Sequence, residues 1–394
     1  MSGLLPPDLA FVCLGAAGLE YPGFQQTALR YFAKDHDVLW VNPTGVRRIS
    51  ASVSRRDLAR YAKKISRLFA GTRRVSERIW VHDPFLVPLV YNKAVVRLNR
   101  FLLHRQFDGL IKRLGFKDYV LWIGSPLVSP FLDSFTPRLT VYNPVDRFYA
   151  FNFVDPAKIL ENERRIAAQS DLIFATADAI REDIKPYNPR SYTVNHGVIF
   201  ERFNAAARAL PRPADIANLS GPIFGFFGKI SDWVDLAFIK GVAQAYPQAQ
   251  VVLIGTVDTD LSAISGLANV HILGLRSHGQ LPAYLAAFDV CLIPYVVNER
   301  LVAVDPTKLR EYLSAGKAVV SSCLPEVQKH GDLVYVGRDV DECVALVGQA
   351  LAEDDAGLRQ RRIDMARGED WTCKMEFMAS HMAGILASKP ASGS

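Results

Sequence analysis

Short apolar runs alternate with polar segments whose apolar positions recur every three or four residues, and this alternation covers most of the chain. LAFVCLG (9–15) predicts a first strand, followed by the glycine-containing loop AAGLEYPGF and a helix from about Gln25 to Lys34. DVLWVNP (37–43), DYVLWIGSP (118–126) and RLTVYNPVD (138–146) predict further strands; residues 163–184 predict helix, strand, helix, and SYTVNHGV (191–198) closes this half. A Pro-rich stretch, PRPADIANLSGP, has the composition of a linker. The pattern then restarts with IFGFFGK (223–229), a helix from about Asp235 to Ala245, AQVVLIG (249–255), NVHILG (269–274), a helix through LPAYLAAF, and DVCLIPY (289–295). Continuous apolar strands alternating with helices build parallel sheets covered on both faces, so two doubly wound α/β domains in series are expected.

The stretch DPTKLREYLSAGKAVVSS (305–322) is the most informative unit of the second half. Asp305 is expected to cap a helix that opens at Pro306, with Leu309, Tyr312 and Leu313 on its inner face, Gly316 as its stop and AVVSS as a buried strand. Loops at the carboxyl ends of the strands line the ligand crevice of an open α/β sheet, and a helix N-terminus attracts anions. Lys308 adds a full positive charge there, and phosphate is the natural guest. The alternative is that Lys308 and Glu311 form an exposed ion pair three residues apart, contributing roughly 0.2–0.5 kcal/mol and nothing else.

Composition narrows the function. At 394 residues the chain has room for two cores, and it contains no uninterrupted apolar run of membrane-spanning length. MSGLLPPDLAFVCLG lacks the charged start of a signal peptide, and the five cysteines show no C-x-x-C spacing, so a reducing cytoplasm without a zinc or disulfide framework is expected. No G-x-G-x-x-G follows the first strand and no P-loop motif occurs, which argues against a nicotinamide dehydrogenase and a P-loop ATPase. Charge is unevenly divided: 30 lysines and arginines stand against 19 acids through residue 208, and 16 against 21 after it. Residues 45–76 carry ten basic side chains and one acid, with Leu58, Tyr61, Ile65, Leu68 and Phe69 near helical spacing, and 87–107 is similar. Such stretches suit an anionic membrane surface; nucleic acid is the competing partner, but no recognition motif accompanies them, and a solvated basic face is the plain alternative.

FFGKISDWVDL, VVLIG, NVHILGLRSHGQLPAYLAAFDVCLIPY and DPTKLREYLSAGKAVVSS, in that order, resemble the nucleotide-sugar domain of GT-B glycosyltransferases of the glycosyltransferase 4-like group. In the first half EYPGFQQTALRYFAKDHDVLWVNP, TVYNPVDRFYAF and VNHGV are similar to bacterial exopolysaccharide and teichuronic-acid-type transferases and to membrane-associated glucuronosyltransferases. The resemblance implies a GT-B fold, two Rossmann-like domains facing across a cleft, with 1–205 facing acceptor and membrane, 206–370 binding the nucleotide sugar, and 371–394 a helix able to cross back to the first domain. It implies that Lys308 meets the donor diphosphate, with Gly228 and Lys229 sharing it through backbone N–H groups and an ammonium. Glu311 matches the later member of the family's paired glutamates and is implied to bond the ribose hydroxyls. The earlier one is replaced by Ala303, a departure that Glu299 does not repair. Gly274 and Leu275 lie where backbone groups read the base, and His196 is a donor-proximal hinge residue.

The resemblance makes Asp146, at the end of TVYNPVD, the candidate base that takes the acceptor's proton in an inverting transfer. The alternative is that it caps the following segment RFYAF. Gly15, Gly18 and Glu20 form the first strand-to-helix loop, where acceptors approach, and Glu20 is a second candidate base. No Asp-x-Asp metal motif occurs, so no metal or other cofactor is expected, fixed cations and dipoles acting in its place. The expectation is a cytoplasmic, peripheral-membrane transferase using a nucleoside diphosphate sugar, UDP-linked, and a lipid-linked or glycan acceptor in cell-surface polysaccharide synthesis. A GT-B-shaped epimerase and a non-catalytic nucleotide-binding scaffold are its rivals.

Overall fold

The structure, a computed structural model, describes residues 3–20, 23–42, 71–87, 93–151, 154–208, 210–353 and 355–389. It divides into two compact units, Met1–Val194 together with Met375–Ser394, and Asn195–Lys374.

The first unit holds β1 (Leu9–Leu14), β2 (Val38–Val41), β3 (Thr72–Ser76), β4 (Ile79–His82), β5 (Asp118–Ile123), β6 (Leu139–Tyr142), β7 (Leu172–Ala175) and β8 (Ser191–Thr193). Their order is β3-β4-β2-β1-β5-β6-β7-β8, and only the β3–β4 pair is antiparallel. Every residue of β1, β2, β5 and β7 is buried, which is why these strands read as unbroken apolar runs. The helix Phe24–Phe32 covers one face, stacking Phe32 on Phe11 with centroids 4.7 Å apart. β1 has β2 on one side and β5 on the other, so chain order reverses between β1 and β5, and their carboxyl ends form a topological switch point. Gln25 ties the loops there together. Its Oε1 accepts from Ala16 N–H at 3.2 Å and its Nε2 donates to the Gly124 carbonyl at 3.0 Å.

In the second unit β9 (Ile223–Phe227), β10 (Gln250–Ile254), β11 (Val270–Ile272), β12 (Val290–Ile293), β13 (Ala318–Ser322) and β14 (Tyr335–Gly337) form a parallel sheet of order β11-β10-β9-β12-β13-β14. The switch point falls between β9 and β12.

The division lies at 194/195, earlier than the 205/206 of the sequence reading. Residues 195–205 join the second unit because Phe200 and Phe203 are buried in its core and Val198 forms a parallel bridge with Asp370. The helix Trp371–Leu386 packs on the first unit from Met375 onward, where His381 lies against Tyr192 at 4.3 Å between centroids and Lys389 pairs with Asp171 at 2.7 Å.

Of the basic stretch 45–76, residues 45–70, with Leu58, Tyr61, Ile65, Leu68 and Phe69, lie outside the described residues. Thr72–Ser76 is an edge strand and not part of a helix, because it pairs with β4 in the ladder. The second stretch contributes the helix Lys93–Leu114, which buries Leu103, Phe107 and Leu110 and leaves Leu98 and Phe101 exposed. Among the described residues no helix is long and apolar enough to cross a membrane.

Candidate functional site

At the switch point of the second unit, β9 is followed by Gly228 and β12 leads on to Tyr295. The segments beyond them pair, through a Val234–Tyr295 bridge and a bond from Val296 N–H to the Trp233 carbonyl at 3.0 Å. Gly228 has φ +143°, a conformation that favours glycine, and a Cβ there would lie 3.1 Å from Lys308 Cε and 3.3 Å from Nζ. The glycine gives the Lys308 side chain its room. Its own N–H is bonded to the Ile254 carbonyl at 2.8 Å, because the turn continues the β9–β10 ladder, so the expected sharing of a ligand through this amide is not what the structure contains.

Lys308 is buried to 8% exposure, with Nζ on the Tyr295 hydroxyl and over the rings of Phe226 (5.1 Å) and Tyr295 (4.6 Å). Among the described residues it has no carboxylate partner. A buried ammonium costs free energy unless a charge meets it, so the site is electrostatically prepared for an anion. Its helix, Thr307–Ser314, is capped by Pro306 with no side-chain bond; Leu309 N–H turns back to the Pro306 carbonyl at 3.0 Å, and among the described residues the Thr307 and Lys308 N–H groups stay open. Asp305 is therefore not the cap expected from the sequence. Its Oδ2 accepts from His196 N–H (2.7 Å) and is 3.1 Å from His196 Nδ1, while its Oδ1 accepts from Arg310 at 2.6 Å. Gly316, at φ +70°, ends the helix as expected.

The Lys308–Glu311 ion pair does not form, since Glu311 accepts from His278 Nε2 at 2.9 Å. The other ring nitrogen of His278 faces a guanidinium nitrogen of Arg202 at 2.6 Å. A guanidinium only donates, so Nδ1 accepts and the ring proton sits on Nε2, directed at Glu311. Lys229, at the turn itself, is half exposed and pairs with Asp258 at 2.5 Å; its Nζ also lies 5.3 Å from the Trp233 ring, which Arg300 approaches at 5.6 Å. Hydrogen bonding to Lys229 holds the Asp258 carboxyl below its usual range.

Gly274 adopts φ +69° and its carbonyl accepts from Gly255 N–H at 2.9 Å, while Leu275 beside it is 71% exposed. Arg276 anchors this loop through Asp215 (2.7 Å) and Tyr284 (2.9 Å). Ala303 is buried in the short turn Leu301–Ala303, and Glu299 is exposed before it.

Behind Lys308 lies a buried charge cluster. Arg310 bonds Asp305 and, at 2.8 Å, Glu369, which Lys374 meets at 2.7 Å. Burial opposes charge on Asp305, but Arg310 and the His196 donors outweigh it and hold its carboxyl well below the ordinary range. Burial, with Arg310's charge, pushes nearby His330 down to about 4.

In the first unit Asp146 lies four residues beyond the end of β6, not within it, because the ladder stops at Tyr142 and the chain turns at Pro144. Val145 and Pro144 are fixed by Thr176, whose hydroxyl and N–H donate to their carbonyls at 3.0 and 3.2 Å. The turn Phe148–Ala150 has Arg147 as its cap and no side-chain cap bond, so the capping alternative for Asp146 is not realised there. Gly15 and Gly18 are buried in the loop after β1; a Cβ on Gly15 would strike Trp40, and one on Gly18 would strike Glu20, which is exposed.

Residues 221–353 match the family model described as Glycosyl transferases group 1. A Bacillus subtilis (strain 168) protein named as a teichuronic acid biosynthesis glycosyltransferase, TuaH, is 29% identical over 227 residues, 54% of this chain and 56% of the relative. The chain thus spans about half the length of the curated relative it matches. The fold is similar to sucrose-phosphate synthase from Thermosynechococcus elongatus (TM-score 0.68, 14% identity, 96% of this chain and 99% of that one). It is also similar to Anabaena HepE, solved in complex with UDP and glucose (TM-score 0.65, 15% identity, 95% and 99%).

Proposed function

We propose, for a chain with the GT-B fold and a group 1 glycosyl transferase domain of the glycosyltransferase 4-like type at 221–353, that it transfers a sugar from a nucleoside diphosphate donor in cell-surface polysaccharide synthesis. The observation that carries this reading is the buried Lys308 ammonium beside Gly228, at an open helix start and, among the described residues, without a carboxylate partner. Breaking the anomeric C–O bond leaves a diphosphate, and a fixed cation with helix N–H groups stabilises the charge where it develops. Lys229 adds a second cation when Asp258 releases it. In this reading the fixed cations and helix N–H groups act in place of a metal ion, and no other cofactor takes part.

Within the same reading, Glu311 takes the ribose hydroxyls, the backbone at Gly274 and Leu275 the base, and His196 lies near the donor. The donor is UDP-linked; the HepE complex with UDP favours this choice. Asp146 is the base that accepts the acceptor hydroxyl's proton, with inversion at the anomeric carbon, and the loop Gly15, Gly18, Glu20 receives the acceptor. A lipid-linked or glycan acceptor and docking of the basic stretches 45–76 and 87–107 on the anionic inner face of the cytoplasmic membrane complete the reading; nucleic acid is not a partner.

The test is UDP release from a panel of UDP-sugars, with and without a bacterial lipid extract. Lipid-dependent release from one sugar supports the proposal, and no release from any UDP- or GDP-sugar, with no transfer to any lipid, contradicts it.

A further inference from the structure

Asp305 sits one residue before the cap of the Thr307–Ser314 helix and three before Lys308. A carboxylate there has two natural partners, the open N–H groups of the first turn and the Lys308 ammonium, and taking either would fill the anion site from within. It takes neither. Its oxygens are turned to Arg310 and His196, and neither the carboxylate nor the guanidinium is more than 2% exposed.

We infer that Arg310 is a positioning residue that keeps the Asp305 carboxylate away from Lys308 and the helix start, so that the site stays open to a diphosphate. This rests on the donor site proposed above and names the residue that holds it ready. The cluster is balanced, with Arg310 and Lys374 facing Asp305 and Glu369. Removing the guanidinium leaves Asp305 buried without the countercharge on its Oδ1, and the other cation of the Thr307–Ser314 helix is Lys308. Within the cluster, His196 reaches the same Oδ2 through its N–H and Nδ1 and leaves Oδ1 to Arg310, and His330 is neutral at physiological pH. The carboxylate then swings to Lys308 and competes with the ligand.

The test is calorimetric titration of UDP into the parent chain, Arg310→Met and Arg310→Met/Asp305→Asn, with melting temperatures recorded for each. Arg310→Met is expected to weaken UDP binding by about tenfold or more, and the added Asp305→Asn to restore most of it. If Arg310→Met does not fold, Arg310→Lys with and without Asp305→Asn is compared in the same way. A purely structural role for Arg310 lowers the melting temperature of the single variants and leaves their UDP affinity at the parent's value. That result, or a double variant that binds no tighter than the single one, overturns the inference. A parent that does not bind UDP at all refutes the donor site itself and this inference with it.

Discussion

His278 donates from Nε2 to Glu311 Oε1 across 2.9 Å, while its Nδ1 accepts from Arg202 at 2.6 Å. The relay fixes a carboxylate that the family resemblance assigns to the ribose. Hydrogen bonds to a charged group contribute about 1.5–3 kcal/mol, so Glu311→Ala should weaken UDP by about ten- to a hundredfold. It should also abolish the parent's preference for UDP over 2′-deoxy-UDP, and a preference that survives removes Glu311 from the ribose. His278→Ala should cost less and act on KM rather than kcat.

Asp146→Asn keeps the shape of the side chain and removes its basicity. General base catalysis contributes about 10²–10⁴-fold, and transfer should fall by that factor while UDP binding stays within a few-fold of the parent's. Unchanged turnover would exclude Asp146 as the base, and Glu20→Gln would then be the next variant to assay.

Glu163, under β6, carries a pH signature of the first unit. It accepts from the buried Tyr142 hydroxyl at 2.8 Å, and burial pushes its pKa up to about 7 despite that bond. A carboxyl whose folded pKa exceeds its unfolded value adds stability below the unfolded value and loses it as pH rises to the folded one. Relative to Glu163→Gln, the parent should therefore lose stability between about pH 4.5 and 7, by on the order of 3 kcal/mol. Denaturant melts across that range check it; a parent-minus-variant difference that is flat with pH contradicts it.

On the helix Lys93–Leu114, Leu98 and Phe101 are exposed on one face with Arg97 and Arg105, and Arg105 lies 5.8 Å from the Phe101 ring. If this face meets an anionic bilayer, Leu98→Ser/Phe101→Ser should reduce sedimentation with phosphatidylglycerol vesicles, and raised salt should reduce parent binding steeply. Binding that ignores both changes would remove the membrane from the account.

The central strands of both sheets were legible because they are short buried apolar runs, and the Lys308 unit because its glycine stop and inner-face spacing are local signals; the edge strand Thr72–Ser76 was not, because TRRVS is exposed and basic and only its ladder with β4 makes it a strand. Asp305 was misread for an equally physical reason. Its sequence neighbours point to a cap, whereas the partners that win, His196 and Arg310, include one more than a hundred residues away and one hidden inside the helix. The roles of Tyr295, His278 and Gln25 have no local signature either; each arises where separate loops meet at the carboxyl ends of a sheet. The Gly228 amide shows the same limit, since its bond to Ile254 follows from ladder register rather than from composition.

The central claim is that Lys308 is the buried cation of a diphosphate site, and titration of UDP into the parent and Lys308→Met by calorimetry tests it most directly. The methionine keeps the apolar stem against Phe226 and Tyr295, so the fold should persist with an unchanged or higher melting temperature. The account predicts saturable binding to the parent and a loss of about a hundredfold or more in the variant, as for truncation of a buried charge that meets its partner. Equal affinity in the two proteins would contradict it.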